Sequence, residues 1–158
     1  METIISTSEK QTLKIAEKLA KKSKSPLCIC LYGNLGAGKT IFSKGFAQGL
    51  GIPPRKIKSP TYTLIRKYEL GLGTAPSTKK TLYHCDFYRI NEPDDLISSD
   101  LEEIFQQKNA IILIEWPERI HNLLPNKRLN ITIDLNSKSN NKSSAQTTRI
   151  IQISPKNL

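Results

Sequence analysis

The chain has 158 residues, of which 37% are apolar, a size and composition that fit one domain built around one hydrophobic core. No apolar run is long enough to cross a membrane, no secretory signal opens the chain, and the three cysteines lack zinc-ligand spacing, so we expect a reduced, cytoplasmic protein. The formal net charge of +10 allows an RNA, an acidic protein or an anionic surface as partner and does not choose among them.

The first predicted elements are an edge strand over residues 1–6 and a basic helix. Ser6-Thr7-Ser8 supplies hydroxyl groups that can cap the N-terminus of this helix. Lysines cover most of the helix, and they are more typical of a solvated face than of a partner surface. One face is apolar and is predicted to pack on the core: Leu13, Ala16, Leu19 and Ala20.

The segment from Leu27 to Leu50 carries the strongest motif. An apolar run typical of a buried strand leads into a glycine-rich turn that ends in Lys39 and Thr40, and a helix follows. Such a turn lets successive backbone N–H groups converge on a nucleotide phosphate, beside the positive end of the helix. Lys39 is expected to reach the β- and γ-phosphates, and Thr40 to ligate Mg²⁺. The alternative is an ordinary strand-to-helix turn. The nucleotide contacts predicted here are Gly33, Asn34, Leu35, Gly36, Ala37, Gly38, Lys39, Thr40 and Ile41.

An antiparallel pair of strands is predicted next. Residues 59–68 are rich in β-formers, residues 71–80 form a polar turn of unusual length, and residues 81–88 return as a strand. The two-residue period places His84, Asp86 and Tyr88 on one face of that strand. Asp86 is a candidate for orienting or deprotonating water, and it could equally anchor the neighbouring turn. His84 is more typical of a packed, hydrogen-bonded histidine than of a metal ligand.

Residues 110–115 form a continuous apolar run that ends in Glu115, which is typical of a central parallel strand buried on both faces. An acid at the end of a strand beside a phosphate loop is expected to position Mg²⁺, and the alternative is a simple strand-end carboxylate. One or two short helices should precede it over residues 91–107, with Asp100 a possible N-cap. The guanine signature Asn-Lys-x-Asp is missing, because Leu129 follows the Asn126-Lys127 pair at the final position. ATP is therefore the expected nucleotide.

The order of elements predicts an α/β protein with a P-loop NTPase-like, three-layer fold that spans residues 1–158 as a single ATPase domain. A central, mostly parallel sheet should carry an antiparallel hairpin and flanking helices. Two further strands are predicted over residues 130–135 and 149–153, separated by a flexible Ser/Asn/Lys-rich tract over residues 136–148.

Four motifs in this order resemble the TsaE family, the bacterial ATPases of tRNA threonylcarbamoyladenosine biosynthesis. They are the phosphate loop, the segment over residues 58–64, His84-x-Asp86-x-Tyr88-Arg89, and Glu115-Trp116-Pro117-Glu118. The resemblance implies a compact P-loop fold and a weak intrinsic ATPase activity. It also implies that the protein acts with TsaD and TsaB, which install the threonylcarbamoyl group on the adenosine beside the anticodon. Contact with tRNA would be indirect or at the shared complex, and neither a membrane nor DNA is an expected partner.

The resemblance also implies roles for individual residues. Thr40 and Glu115 would hold Mg²⁺, and Asp86 would serve water activation. Ser59-Pro60-Thr61 would form a switch-like segment near the γ-phosphate, with Thr61 in contact with the nucleotide.

Three further positions follow from the resemblance, and two features depart from it. Trp116 would lie near the nucleotide or a partner, with a buried tryptophan as the alternative, and Thr12 and Arg149 match family positions close to the nucleotide. Asn34 stands where the family usually has Asp, and residues 71–80 and 136–148 look longer than the family pattern.

Two other functions are compatible with the motifs. One is a small-molecule kinase with a phosphate loop, although the sequence contains no Arg-rich lid segment and no obvious acceptor pocket. The other is a basic, RNA-associated regulatory protein that binds ATP without needing to hydrolyse it.

Overall fold

The computed structural model describes residues 1–71, 80–136 and 148–156. Its strands are β1 (Glu2–Ser6), β2 (Leu27–Tyr32), β3 (Ile65–Leu70), β4 (Lys80–Asp86), β5 (Ala110–Glu115), β6 (Arg128–Leu135) and β7 (Arg149–Lys156). Its α-helices are α1 (Glu9–Lys22), α2 (Lys39–Gly49) and α3 (Asp95–Gln106), and short 3₁₀ helices cover Pro54–Lys56 and Pro117–Ile120.

The strands form one seven-stranded sheet in the order β1-β7-β6-β2-β5-β4-β3. The four central strands β6, β2, β5 and β4 are parallel to one another, whereas β1, β7 and β3 pair antiparallel with their neighbours. All six residues of β5 are buried, as expected for a strand covered on both faces. The predicted α/β fold, with a mostly parallel centre and an antiparallel hairpin, is confirmed.

Helices cover both faces of the sheet and make three layers. Under α1 and α2, the first core cluster includes Leu31, Phe42, Phe46, Leu113 and Ile131. Under α3, on the opposite face, the second core cluster includes Cys30, Phe87, Leu101, Ile112 and Ile120. None of the helices in the described part of the chain has the length and apolar character needed to cross a bilayer.

Helices α1 and α2 lie unusually close together because α2 carries two glycines where it meets α1. A Cβ atom at Gly45 would lie 2.4 Å from the backbone oxygen of Leu13, and one at Gly49 would lie 2.5 Å from that of Glu17. The backbone of α1 therefore occupies the space that side chains would need. This contact fixes α2, whose first residue is Lys39, against the N-terminal helix.

The predicted helix starts are partly confirmed. Ser8 caps α1, and its side chain accepts a hydrogen bond from the backbone N–H of Gln11. The predicted cap at Asp100 is wrong, because residues 95–106 form a single helix and Asp100 lies in its interior. Asp94 is the cap instead, and its carboxylate accepts from the backbone N–H of Ile97.

The predicted strand over residues 59–68 is wrong in its first half, because β3 begins only at Ile65. Leu64 has a positive φ of 58°, which interrupts an extended backbone. The hydroxyl of Thr61 donates to the carboxylate of Asp86 and holds this segment as a loop over the end of β4. The unusually long turn and the flexible tract predicted from the sequence lie mostly outside the described residues, over 72–79 and 137–147.

Tyr88 does not share a strand face with His84 and Asp86, contrary to the prediction. Strand β4 ends at Asp86, and the chain turns there because the backbone N–H of Tyr88 donates to the Asp86 carboxylate over 3.1 Å. Only His84 and Asp86 keep the predicted alternation along β4.

Candidate functional site

The phosphate-loop motif connects the end of β2 to the start of α2, as predicted. Gly33 has a φ of 138°, and a Cβ atom there would lie 2.2 Å from the backbone oxygen of Ile133 on β6. The loop is therefore pressed against β6 at a point where only glycine fits. Gly36 also has a positive φ, of 80°, but a Cβ atom there would meet nothing within 4 Å. Its backbone is open on the side where a ligand can approach.

A cavity of 380 Å³ lies over this loop, between the N-terminus of α2 and the ends of β4 and β5. Tyr88 lines it, although the sequence analysis did not propose this residue as a contact. The predicted site residues that the cavity brings together are Leu35, Gly36, Gly38, Lys39, Thr40, Ile41, Thr61, Asp86, Glu115 and Trp116.

Lys39 turns its ammonium group back onto its own loop. Its Nζ donates to the backbone oxygens of Gly33 over 2.5 Å and of Asn34 over 3.1 Å, and it lies 3.7 Å from the centre of the Trp116 ring. Burial lowers the pKa of the Lys39 ammonium, and the nearby carboxylates only partly oppose this shift. A phosphate oxygen would be a stronger acceptor than these neutral carbonyl groups. The ammonium is thus placed to exchange them for an anion.

Glu115 is buried at the end of β5 and accepts three side-chain hydrogen bonds. Its Oε2 accepts from the Thr40 hydroxyl over 2.8 Å, and its Oε1 lies 2.8 Å from both the Ser43 hydroxyl and Nε2 of His84. Burial by itself raises the pKa of the Glu115 carboxyl, but the hydrogen bond and charge of His84, together with the two hydroxyl donors, outweigh it and hold the pKa below its usual value. Glu115 is therefore kept as a carboxylate.

Thr40 and Glu115 fit the predicted Mg²⁺ site in the type and position of their atoms. A hydroxyl and a carboxylate oxygen meet at one end of the cavity, and oxygen atoms are the ligands that Mg²⁺ takes in proteins. Within residues 1–71, 80–136 and 148–156, no group of three or more His, Cys, Asp or Glu could hold a metal ion. Mg²⁺ is commonly held by one or two protein oxygens together with water and substrate phosphates, so one hydroxyl and one carboxylate are enough protein ligands for it.

Asp86 anchors the neighbouring turn, which is one of its two expected roles, and it also lines the cavity. Its Oδ1 accepts from the backbone of Tyr88, and its Oδ2 accepts from the hydroxyl of Thr61 over 2.5 Å and from that of Ser59 over 3.5 Å. A carboxylate has about four lone-pair positions, so it can accept a further hydrogen bond from within the cavity. Asp86 thus anchors the turn and holds Thr61 while its cavity-facing side remains available to a ligand.

Trp116 stands at the boundary between β5 and the following 3₁₀ helix. Its backbone adopts the left-handed conformation, with φ 60° and ψ 50°, and its side chain is half-buried rather than fully enclosed. The ring contacts the ammonium of Lys39 on one side and the ring of Tyr88, at a centroid distance of 5.0 Å. The backbone turn therefore directs this aromatic group to the cavity.

Two predicted contacts, Thr12 and Arg149, do not line the cavity. The hydroxyl of Thr12 is fully buried and lies 2.8 Å from the hydroxyl of Ser6. Arg149 is buried beside Gly38, and its Nε donates to the backbone oxygen of Ala37 over 2.9 Å. Arg149 thus supports the loop from outside the cavity, and the contact of Thr12 and Arg149 with a nucleotide stays a prediction. The predicted loop positions that also lie outside the cavity lining are Gly33, Asn34 and Ala37.

Ser43 is the polar contact that the sequence analysis missed. Its side chain is 1% exposed, and it bonds both Glu115 and the backbone oxygen of Lys39. Residues four apart lie on the same face of a helix, so the position of Ser43 four residues after Lys39 could have predicted that it lies at the site.

The chain matches known proteins over most of its length. A family model described as threonylcarbamoyl adenosine biosynthesis protein TsaE covers residues 6–145. A relative from Bacillus subtilis (strain 168), named tRNA threonylcarbamoyladenosine biosynthesis protein TsaE, is 42% identical over 124 residues, which are 78% of this chain and 71% of the relative. A relative of the same name from Aquifex aeolicus (strain VF5) is 38% identical over 120 residues, covering 75% of this chain and 79% of the relative.

A solved structure agrees with these sequence matches. The crystal structure of YdiB from Bacillus subtilis superposes with a TM-score of 0.67 at 30% identity, covering 95% of this chain and 83% of YdiB. The fold, the order of the motifs and the sequence matches therefore lead to one conclusion. The chain belongs to the TsaE family.

Proposed function

We propose that this protein is an Mg²⁺-dependent ATPase that acts in the formation of threonylcarbamoyladenosine on tRNA, with a turnover that is weak alone and depends on TsaD and TsaB. The names of the family and of its relatives support the pathway. The observation that carries the ATPase assignment is the contact between Thr40 and Glu115 at one end of the phosphate-loop cavity. A loop of this kind next to a buried carboxylate is the arrangement that phosphoryl-transfer proteins use.

Binding of the triphosphate would rest on the loop and on Lys39. The backbone of the loop and the N-terminal end of α2 supply N–H groups and positive potential to the phosphates. Lys39 would release its present acceptors, the backbone oxygens of Gly33 and Asn34, and pair with the phosphate oxygens instead. Because Lys39 is largely removed from water, this charge pairing is stronger than it would be at the surface.

Thr40 and Glu115 would hold Mg²⁺, which when bound offsets the negative charge of the β- and γ-phosphates. The protein keeps Glu115 ionised for this task through His84, Ser43 and Thr40. Ser43 and His84 both contact the same carboxylate oxygen, Oε1. The other oxygen, Oε2, accepts a hydrogen bond from Thr40, so binding of Mg²⁺ to Oε2 would displace only that hydrogen bond.

Asp86 would activate the water that attacks the γ-phosphorus. A new bond forms between the water oxygen and phosphorus, the bond from phosphorus to the bridging oxygen of ADP breaks, and Asp86 takes the proton of the water. The contacts from Thr61 and from the Tyr88 backbone fix the orientation of the carboxylate. General-base catalysis of this kind contributes about 10²–10⁴-fold to a rate.

The test is ATP hydrolysis by the purified protein, alone and with TsaB, TsaD and tRNA, beside the variant Lys39→Ala. Lys67→Ala is the matched control, because Lys67 is exposed on β3 and does not line the cavity. We expect the complex to stimulate hydrolysis, and Lys39→Ala to lose both ATP turnover and tRNA modification while Lys67→Ala keeps them.

Two outcomes would replace the proposal with another function. If turnover stays low with the complete complex and phosphate is transferred to a small acceptor, the protein is a kinase. If Lys39→Ala still supports modification, ATP hydrolysis is dispensable and a regulatory binding role is favoured.

A further inference from the structure

Charged side chains are distributed unevenly between the two helical layers. Five exposed lysines lie on α1, which contains only two acidic residues. Along the chain, no Asp or Glu occurs between Glu17 and Glu69, a stretch that includes the whole of α2. The exposed lysines of α1 are Lys10, Lys14, Lys18, Lys21 and Lys22.

The same layer continues with positive charge beyond α1. Lys44 is exposed on α2, and Arg55, Lys56 and Lys58 are exposed in the segment that follows α2. Ile52 and Ile57 of that segment pack into the core cluster under α1 and α2, so the segment belongs to this side of the sheet. We refer to these four residues and the five lysines of α1 as the basic face.

The segment that contains α3, on the opposite side of the sheet, has the reverse charge. Residues 91–107, which include α3, contain no Lys or Arg. Their acidic side chains are all exposed: Glu92, Asp94, Asp95, Asp100, Glu102 and Glu103. The helical segments on the two sides of the sheet therefore differ in sign, and a polyanion would be attracted to the basic face and repelled by α3.

Only part of the positive charge on α1 serves the helix itself, because Lys21 and Lys22 lie in its last turn, where cations are favourable, and the other lysines do not. Lys10, Lys14, Lys18 and Lys22 recur every four residues and form a ridge about 18 Å long. Like charges at this spacing repel one another along a helix. The exposed pair of Lys21 and Glu17, at 2.6 Å, is the ion pair found on α1. The charge of the ridge is therefore available to a ligand.

We propose that the basic face binds the phosphate backbone of structured RNA, and tRNA in particular. This inference deepens the proposed function and rests on it, because the substrate of that pathway is a tRNA. Phosphate contacts of this type are electrostatic and largely independent of sequence. No aromatic side chain lies exposed on α1, on α2 or over residues 54–58, so the face offers no platform for stacking unpaired bases.

The composition of the face disfavours the other polyanionic or acidic partners. Helices that bind membrane surfaces need apolar side chains that can enter the bilayer, and no large apolar side chain of the face is exposed. Stereospecific protein interfaces are depleted in lysine and depend on buried aromatic or arginine anchors, whereas eight of the nine cations here are lysines. RNA backbone is the partner that this chemistry fits best.

The experiment compares two triple variants of equal net charge, each reduced from +10 to +7. The first, Lys14→Gln/Lys18→Gln/Lys22→Gln, removes charge from the ridge. The control, Lys108→Gln/Lys127→Gln/Lys156→Gln, removes it from exposed lysines outside the basic face. Binding of fluorescently labelled tRNA is measured by anisotropy over a range of salt concentrations without nucleotide, and circular dichroism verifies that both variants are folded.

We expect the ridge variant to bind tRNA at least about tenfold more weakly, and the slope of log affinity against log salt to fall in magnitude by about 2–3. The control variant should bind like the unmodified protein. Equal losses in both variants, or no loss in either, would overturn the proposal. So would binding to phosphatidylserine vesicles without binding to tRNA.

A second readout separates this proposal from the proposed function. The lysines of the ridge do not line the nucleotide cavity, so the ridge variant should keep the ATP hydrolysis of the isolated protein. Lys39→Ala should keep tRNA binding. If instead the unmodified protein binds tRNA through the ridge but never hydrolyses ATP, the ATPase assignment fails and the RNA-binding face stands.

Discussion

The contact between the phosphate loop and β6 can be tested by adding one methyl group. In Gly33→Ala, the new Cβ would lie 2.2 Å from the backbone oxygen of Ile133, and the residue would have to keep a φ of 138°. A positive φ costs a residue with a Cβ about 1–3 kcal/mol. Forcing an atom into packed backbone costs about 1–3 kcal/mol more. We therefore expect Gly33→Ala to lower the free energy of unfolding by about 2–6 kcal/mol.

Gly36→Ala provides the matched control, because it makes the same substitution in the same loop without the backbone contact. Gly36 also has a positive φ, but a Cβ there would lie in open space, so its cost is the backbone strain alone, about 1–3 kcal/mol. The difference between the two variants is then about 1–3 kcal/mol, which corresponds to a Tm lower by about 2–12 °C for Gly33→Ala in a chain of this size.

The assay is urea denaturation of the nucleotide-free protein, followed by the fluorescence of Trp116, the single tryptophan of the chain. Omission of nucleotide removes any contribution from ligand binding, which would differ between the two variants. Equal denaturation midpoints for the two variants would refute the reasoning, because they would mean that the loop does not press on β6.

Other predictions concern the acidic residues of the site. Asp86→Asn should slow ATP hydrolysis by about 10²–10⁴-fold while ATP affinity stays within a few-fold, as measured by single-turnover kinetics and by binding of a fluorescent ATP analogue; loss of binding would instead indicate that its turn contact is what matters. Glu115→Gln should sharply weaken hydrolysis and raise the Mg²⁺ concentration it needs in a metal titration. Ser43→Ala should keep the metal requirement of the unmodified protein and lose about 1.5–3 kcal/mol of stability with one hydrogen bond to a charged group. The pKa of Glu115 is lower in the folded protein, so its contribution to stability is present above the unfolded pKa and is lost as the pH falls through the folded value. Acid denaturation should accordingly be less steep in Glu115→Gln than in the unmodified protein, and identical acid limbs would contradict this account.

Features that depend on neighbouring residues were predictable from the sequence. The strand, loop and helix from Leu27 to Gly49 could be read because glycine positions, the apolar run and the helix all lie in one contiguous segment. The position of Glu115 was also predictable, because neighbouring parallel strands end at the same edge of a sheet and bring their last residues together.

Features that depend on distant residues were not predictable. Residues 59–64 have the composition of a strand, but contacts of Ser59 and Thr61 with the carboxylate of Asp86 hold them as a loop. The partners of Glu115 come from β4 and α2, so no local pattern indicates that Ser43 and His84 share one of its oxygens. The left-handed backbone of Trp116, whose ring lies against Lys39, is a conformation that aromatic residues rarely adopt, so propensity does not predict it.

The close approach of α1 and α2 at Gly45 and Gly49 has a mechanical consequence. At these two glycines the backbone of α1 lies directly against α2, with no long side chain between them that could yield, so the two helices should move together as one stiff unit. The outer surface of that unit carries lysines, and one of its ends carries Lys39 and Thr40. A force applied to α1 by a large bound molecule would therefore be passed through α2 to the phosphate loop and would tilt it.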